Sequence, residues 1–349
     1  MNAPEIAPAE WRTKSANQTR LAFGQALLEI GAREPRAVVV SADTQDLLGI
    51  RSYIERFRDR FIELGIAEQN TIGVASGLAT TGLHPYVCAY APFITARSLE
   101  QVRNDVAYAN QRVVIGAAAS GISLGVAGGT HHALEDLALM RSLPNMTVIV
   151  PADVNETYKA ALATLDIDGP VYLRLGGRTE EPPVGDPEAP FRLGKAVLLR
   201  DGKDVAVIAC GALVEMAVRA SDLLKQEGIG VRVLNMHTIK PLDRDAILAA
   251  AAETRGIVTA EEHHLTGGLG GAVAELLAIE HPTRMRMVGM PDVFATVGPT
   301  VPLRAKYGMS AEAIVAACRA LLSSSPHKLP PAQWSTRPPK AESQGKNRV

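Results

Sequence analysis

The 349-residue chain predicts an α/β protein built from two consecutive doubly wound units. Three observations carry that expectation. Short apolar runs, such as residues 37–42 and 112–118, alternate with helix-length segments. The runs are continuous rather than alternately polar and apolar, the pattern of parallel strands covered on both faces. An acidic, proline-rich, aperiodic stretch at 179–190 interrupts the alternation before it resumes, and reads as a linker. A chain of this length suits two domains and can bury a sizeable core.

Taken in order, residues 19–31 read as a helix, and strands are expected at 37–42, 61–64, 86–90, 112–118, 146–150 and 171–175. Helices fall between them at 66–81, 99–109, 134–142 and 155–165. The segment 66–81 is made largely of small residues, among them Ala67, Gly73, Ala75, Ser76, Gly77 and Ala79, and would let another backbone approach closely. Beyond the linker, strands are expected at 205–209, 231–234, 256–260 and 284–288. Helices follow at 212–226, 244–254, 269–280 and 311–322. From Ser323 onward Pro, Ser, Lys and Gln dominate, so 323–349 reads as a disordered tail. The expected units are therefore residues 12–178 and 191–322.

Hydrophobic residues make up 47% of the chain but aromatics only 4%, so the core leans on Ala, Val, Leu and Gly. A net charge of -1 without a basic run argues against nucleic acid as a partner. Cys88, Cys210 and Cys318 are few and widely spaced. They exclude a disulfide framework and a Cys-rich metal site, and fit a reducing cytoplasm. Residues 1–14 hold no apolar signal core. The uncharged run 113–130 contains Gly116, Gly121, Gly125, Gly128 and Gly129 and reads as a strand entering a glycine-rich loop, not a membrane span.

In open parallel sheets, ligands bind beyond the carboxyl ends of the strands. That rule singles out Asp43, Glu68, Tyr90, Phe93, Ala119, Ser120 and Asp153. Glu68 stands in the first turn of the small-residue helix, where it is expected to be taken out of water. Burial disfavours a carboxylate's charge while a helix N-terminus favours it, a balance that suits acid–base chemistry. Tyr90-Ala-Pro-Phe93 offers flat apolar contact suited to a heteroaromatic ring. Gly128-Gly-Thr-His131-His132 reads as a loop that delivers Thr130 as a helix N-cap, with Glu135 and Asp136 in the first turns. Adjacent histidines on a helix point about 100° apart and make poor joint metal ligands. Glu261-Glu-His-His264 leads into Gly267-Gly-Leu-Gly-Gly271, a turn after a strand that does not complete a G-x-G-x-x-G pattern.

The segment Gly65-Ile-Ala-Glu68-Gln resembles the cofactor-activating segment of the transketolase group of thiamine diphosphate enzymes. Tyr90-Ala-Pro-Phe93 is similar to that family's "TF-x-x-F", and Gly128-Gly-Thr-His131 to its "G-P-T-H". The three segments fall in family order at family spacing, and the resemblance covers roughly residues 12 to 322. It implies a thiamine diphosphate pyrimidine-binding domain at 12–178 and a transketolase C-terminal domain at 191–322. It implies that Glu68 bonds the cofactor's aminopyrimidine, that Tyr90, Phe93 and Asp43 contact the cofactor, and that His131 touches substrate oxygens. Arg20, and with weaker register Arg178, would meet a substrate phosphate. The C-terminal domain would serve mainly for packing, with no catalytic role for His263 or His264.

A full transketolase also has a preceding domain with "GDG" and a later Asn that grips the diphosphate through Mg²⁺, and no such segment is present here. The chain therefore resembles the C-terminal half of a split transketolase. Its expected partner is an N-terminal-half subunit that holds most of the Mg²⁺ site, in a heterotetramer. Two positions depart from the family. The donor-binding histidine falls on Ala119, and the acid that reads the donor's hydroxyl falls on Ala127. One alternative is the beta subunit of a 2-oxo acid dehydrogenase thiamine component, whose acid would lie at Glu63. The other is a degenerate, non-catalytic assembly subunit.

Overall fold

The computed structural model describes residues 16–323; the rest of the expected tail, 324–349, lies outside the described residues, as do 1–15. In the first unit, β1 (Ala37–Ser41), β2 (Phe61–Glu63), β3 (His84–Tyr90), β4 (Val114–Ala118), β5 (Thr147–Ile149) and β6 (Val171–Arg174) pair in parallel. Every residue of β1, β4 and β6 is buried, which is why their sequences are continuous apolar runs rather than alternating ones. The helices are α1 (Thr19–Arg33), α2 (Arg51–Arg56), α3 (Glu68–Thr80), α4 (Leu99–Gln101), α5 (Asp136–Ser142) and α6 (Val154–Ala163).

In the second unit, β7 (Val197–Arg200), β8 (Val205–Ala209), β9 (Val231–Asn235), β11 (Ile257–His264) and β12 (Met285–Met290) form a sheet of order β12-β11-β8-β9-β7. All pairs in it are parallel except β7 with β9. Its helices are α7 (Leu213–Lys225), α8 (Arg244–Glu253), α9 (Leu269–Glu280), α10 (Thr300–Lys306) and α11 (Ala311–Ser323). Among the described residues no helix is long and apolar enough to cross a membrane.

The units are more tightly joined than two consecutive sheets would be. Strand β10 (Thr238–Lys240) leaves the second unit and pairs antiparallel with β5, so the first sheet has seven strands, β10-β5-β6-β4-β3-β1-β2. One apolar cluster runs from Ile72 and Val87 through Met140 and Val148 to Ile208 and Leu269. Strand β11 also runs on through Glu261–His264, where a turn was expected. Of its polar side chains, Glu261 is satisfied within its own unit by Leu269 and Gly270 N–H, whereas Glu262 and His263 accept N–H bonds from Ile122 and Ala138 across the seam.

Other differences are local. Elements β7, β10, α2 and α10 are too short to impose a period on the sequence. The expected helix 99–109 is α-helical only in α4 and continues as wider π turns over Val102–Tyr108. Helix α3 buries Glu68, Thr71, Ile72, Ala75 and Ser76, a stripe at helical period. Gly73 and Gly77 lie off that stripe, and a Cβ there would meet nothing within 4 Å. The close backbone approach expected at those glycines is therefore absent within the described residues.

Candidate active site

Gly65, at φ +69°, turns the chain from β2 into α3, and Glu68 opens that helix. Glu68 is 2% exposed. Its Oε2 accepts a hydrogen bond from Arg97 at 2.7 Å, an ion pair whose other side chain is 46% exposed. Arg97 closes the π turn Phe93–Arg97 that follows β3, and its guanidinium lies 4.6 Å from the centre of the Phe93 ring. The far side of this group is aromatic. His131 meets Phe93 edge-on at 5.1 Å and Tyr90 at 6.1 Å, and Tyr90 and Phe93 are 5.9 Å apart. Four residues singled out by sequence, Glu68, Tyr90, Phe93 and His131, are thus brought together around one that was not, Arg97. Its signal was its place four residues after Phe93, the spacing at which helical side chains meet.

The loop to His131 differs from expectation. Thr130 caps no helix, because α5 begins only at Asp136; its hydroxyl instead sits 3.0 Å from His131 Nδ1. Asp136 is fixed there by Arg174, at 2.7 and 2.9 Å, and by the Tyr172 hydroxyl at 2.6 Å. Residues before it form a bridge between Gly121 and Ala133 rather than a first turn. His131 and His132 therefore do not lie on a helix. His131 faces the aromatic group half-buried, while His132 is buried and its pKa is lowered by desolvation. Ala119 is fully buried in the left-handed region, at φ +59°, and its N–H donates to Gly176 O at 3.1 Å. Ala127 ends a short 3₁₀ turn, Gly125–Ala127, and is half-buried.

Asp43 is exposed at φ +57° beyond β1. Its N–H donates to Glu63 Oε1 at 2.9 Å, and the same oxygen accepts from Gly65 at 2.8 Å. The Glu63 carboxylate thus ties two strand-end loops together. Arg20 is buried, and its guanidinium donates to Gly177 O at 2.8 Å, to Leu47 O and to the Gln18 side chain. Burial first, and then the charge of Arg178, pull the Arg20 pKa down, and Tyr90 opposes them. Arg178 is exposed. Two other candidates are structural. Asp153 caps α6 through Glu156 N–H at 2.9 Å and also accepts from Val184 N–H, and the Ser120 hydroxyl bonds Leu175 O.

On the other side of the seam, Glu261 accepts N–H bonds from Leu269 and Gly270, both at 2.7 Å, and so caps α9. His263 Nε2 accepts from Ala138 N–H at 3.3 Å, and His264 pairs with Glu135 at 3.4 Å. The two histidines thus join the units, while Glu261 serves its own. A groove with Phe93, Arg97, Thr130 and Glu135 from the first unit and Phe294 from the second in its walls adjoins the aromatic group.

Residues 15–178 match the family Transketolase, pyrimidine binding domain, and residues 194–314 match Transketolase, C-terminal domain. The chain belongs to the transketolase family. It is 39% identical over 295 residues to a subunit of the apulose-4-phosphate transketolase of Phocaeicola vulgatus, covering 84% of this chain and 94% of that one. It is 40% identical over 291 residues to a subunit of the 6-deoxy-6-sulfo-D-fructose transketolase of a Clostridium species, covering 83% and 90%. Among solved structures it resembles a split gene transketolase described as an inactive beta4 tetramer, with a TM-score of 0.82 and 42% identity over 87% of this chain and 98% of that one. This transketolase-family chain therefore has the domains of a C-terminal-half subunit.

Proposed function

We propose that this chain is the catalytic half of a thiamine diphosphate-dependent transketolase, moving a two-carbon ketol unit from an anionic ketose donor to an aldehyde acceptor. The observation that carries the reading is Glu68, buried at the start of α3 and joined through Arg97 to the aromatic group of Phe93, Tyr90 and His131. The donor set fits the cofactor's pyrimidine. A carboxylate held out of water beside flat apolar rings suits a heteroaromatic ring with hydrogen-bonding nitrogens. When bound, thiamine diphosphate supplies the nucleophilic carbon that ketol transfer requires. Glu68 holds or gives a proton at its carboxylate, and Tyr90 and Phe93 give the ring an apolar wall. Asp43 lies on the cofactor side, and His131 hydrogen-bonds substrate oxygens. Arg178, with Arg20 behind it, faces the donor's terminal anion.

The names of the two relatives support an anionic sugar and a multi-subunit enzyme, since each names a subunit and a sugar carrying a phosphate or sulfo group. In this reading an N-terminal-half subunit with GDG…N brings the diphosphate and Mg²⁺ contacts, and the pair assembles as a cytoplasmic heterotetramer. Ala119 and Ala127 lack the polar groups that would read the donor's hydroxyls, so selection there is relaxed or redirected. Glu63, the acid the dehydrogenase alternative needs, is spent on two backbone N–H groups.

Calorimetry tests the split site. The chain with thiamine diphosphate and Mg²⁺ but no partner should bind weakly, and the assembled pair tightly. Micromolar or tighter binding by this chain alone sinks the reading. A donor panel tests the loop. Ordinary ketose phosphates should be about tenfold or more poorer donors than for an enzyme with both polar groups, and Ala119→His plus Ala127→Asp should narrow that gap.

A further inference from the structure

We infer that Glu262 and Thr300 of the second unit are positioning residues for the loop that carries the substrate side of the site. The loop runs from Gly121 to His131 and includes Gly125, Gly128 and Gly129, so by itself it has a large conformational freedom to lose. Its own unit and the linker hold the entrance, where the Ser123 hydroxyl bonds Ser120 O at 2.5 Å and Thr179 of the linker reaches Ser123 O at 3.3 Å. The central contacts come from across the seam. Glu262 is 4% exposed; its Oε1 accepts Ile122 N–H at 2.9 Å and its Oε2 pairs with buried Arg304 at 2.6 Å. Gly121 stands at φ +59°, and a Cβ there would sit 2.7 Å from the Glu262 carboxyl carbon. Only a glycine lets this carboxylate reach the backbone beside it.

Thr300 acts one step further along. Its hydroxyl donates to Ile122 O at 3.1 Å and accepts Gly125 N–H at 3.4 Å, so one group grips the loop in both senses. Gly298 N–H donates to Gly125 O at 3.2 Å, and a Cβ on Gly125 would meet Gly298 O at 2.4 Å. The loop is thus pinned at 122 and at 125 from outside its own sheet, next to the Gly121–Ala133 bridge that its own unit supplies. From those pins it passes Ala127 and delivers His131 edge-on to Phe93 at 5.1 Å. The second unit is in this sense part of the donor site although none of its hydrogen-bonding groups need touch the donor.

Hydrogen exchange on the full chain tests the inference directly. Thr300→Val should raise amide exchange across Gly121–His131 about three- to tenfold, the size expected for losing a hydrogen bond, with β8 unchanged. Thr300→Ser should restore protection, and Glu262→Gln should loosen the same amides. In the assembled enzyme Thr300→Val should raise the KM for the donor in the same range and leave kcat within about twofold, the signature of lost uniform binding. Unchanged exchange in the loop, or an equal rise in β8, overturns the inference. The kinetic arm rests on the transketolase reading and the exchange arm does not. A loosened loop in a chain that transfers no ketol unit therefore sinks that reading and leaves this one.

Discussion

Two glutamates, one in each unit, lie near the start of a helix, Glu68 in the first turn of α3 and Glu261 on the strand that precedes α9, and both are out of water: Glu68 is 2% exposed and Glu261 1%. Their partners differ. Glu261 bonds two backbone N–H groups at the start of α9, and burial still pushes its pKa up. Those donors are locked in a helix and cannot leave. Glu68 pairs with the long, half-exposed side chain of Arg97, itself laid on an aromatic ring. Such a partner can be exchanged for another at little conformational cost. Burial therefore does not distinguish the two carboxylates; the freedom of the partner to leave does.

The seam that separates the two cases offers the largest test. Asp136→Asn leaves the buried Arg174 guanidinium without its counter-charge, and Arg174 also holds the carbonyls of Ala133 and Glu262. Denaturant midpoints should fall by the equivalent of about 3–5 kcal/mol. A loss under about 1 kcal/mol would mean that the seam is not what fixes the second unit's acids.

The glutamates themselves should then separate cleanly. Glu68→Gln should slow thiazolium proton–deuterium exchange in the assembled enzyme by about 100-fold or more. The same change should move stability by less than about 1 kcal/mol, since Arg97 is half in solvent. Glu261→Gln should do the reverse, costing about 2 kcal/mol of stability with catalysis per folded molecule little changed. If Glu63→Gln stops the exchange and Glu68→Gln does not, the catalytic acid has been assigned to the wrong glutamate.

A third acid tests whether burial alone gives a pH signature. Glu156 bridges the units, accepting Ala152 N–H at 2.6 Å and the Asn235 side chain at 2.8 Å, and burial raises its pKa from 4.5 to about 7. Below the lower value the group is protonated in both states and has no effect. Between the two values the unfolded chain releases a proton that the folded chain keeps, so stability falls as pH rises. Thermal melts from pH 4.5 to 7 should show that fall relative to Glu156→Gln; parallel profiles would remove the acid from the seam's energetics.

The smallest effect is expected at Ala119. A left-handed alanine costs about 1–2 kcal/mol, and glycine there gives back part of that to unfolded-chain entropy. Ala119→Gly should therefore stabilise the chain by about 0.5 kcal/mol. A loss instead would show that the Ala119 methyl is packed tightly enough to outweigh the strain.

The positions of the strands in the first sheet's parallel core, and the residues at its carboxyl edge, were legible because each is a local property. A doubly covered strand must be a continuous apolar run, and the residues just past it can be named by counting. Glu68, Tyr90 and Phe93 were named that way, and His131 by its resemblance to a family segment. Arg97 was not, since an arginine on a helix turn is ordinary until a ring and a carboxylate are seen on either side of it. Thr130 was misplaced because a capping pattern competes with the buried Arg174–Asp136 pair, and that pair is made between residues 38 apart. The same holds for β10, three residues with no period of their own that become a strand only because the edge of β5 has open hydrogen bonds. Sequence by itself determined which residues prefer which local state and which stand just past the strand ends. Tertiary structure alone decided which buried acids are locked to backbone and which face a partner that can be replaced, because that depends on contacts between segments far apart in the chain.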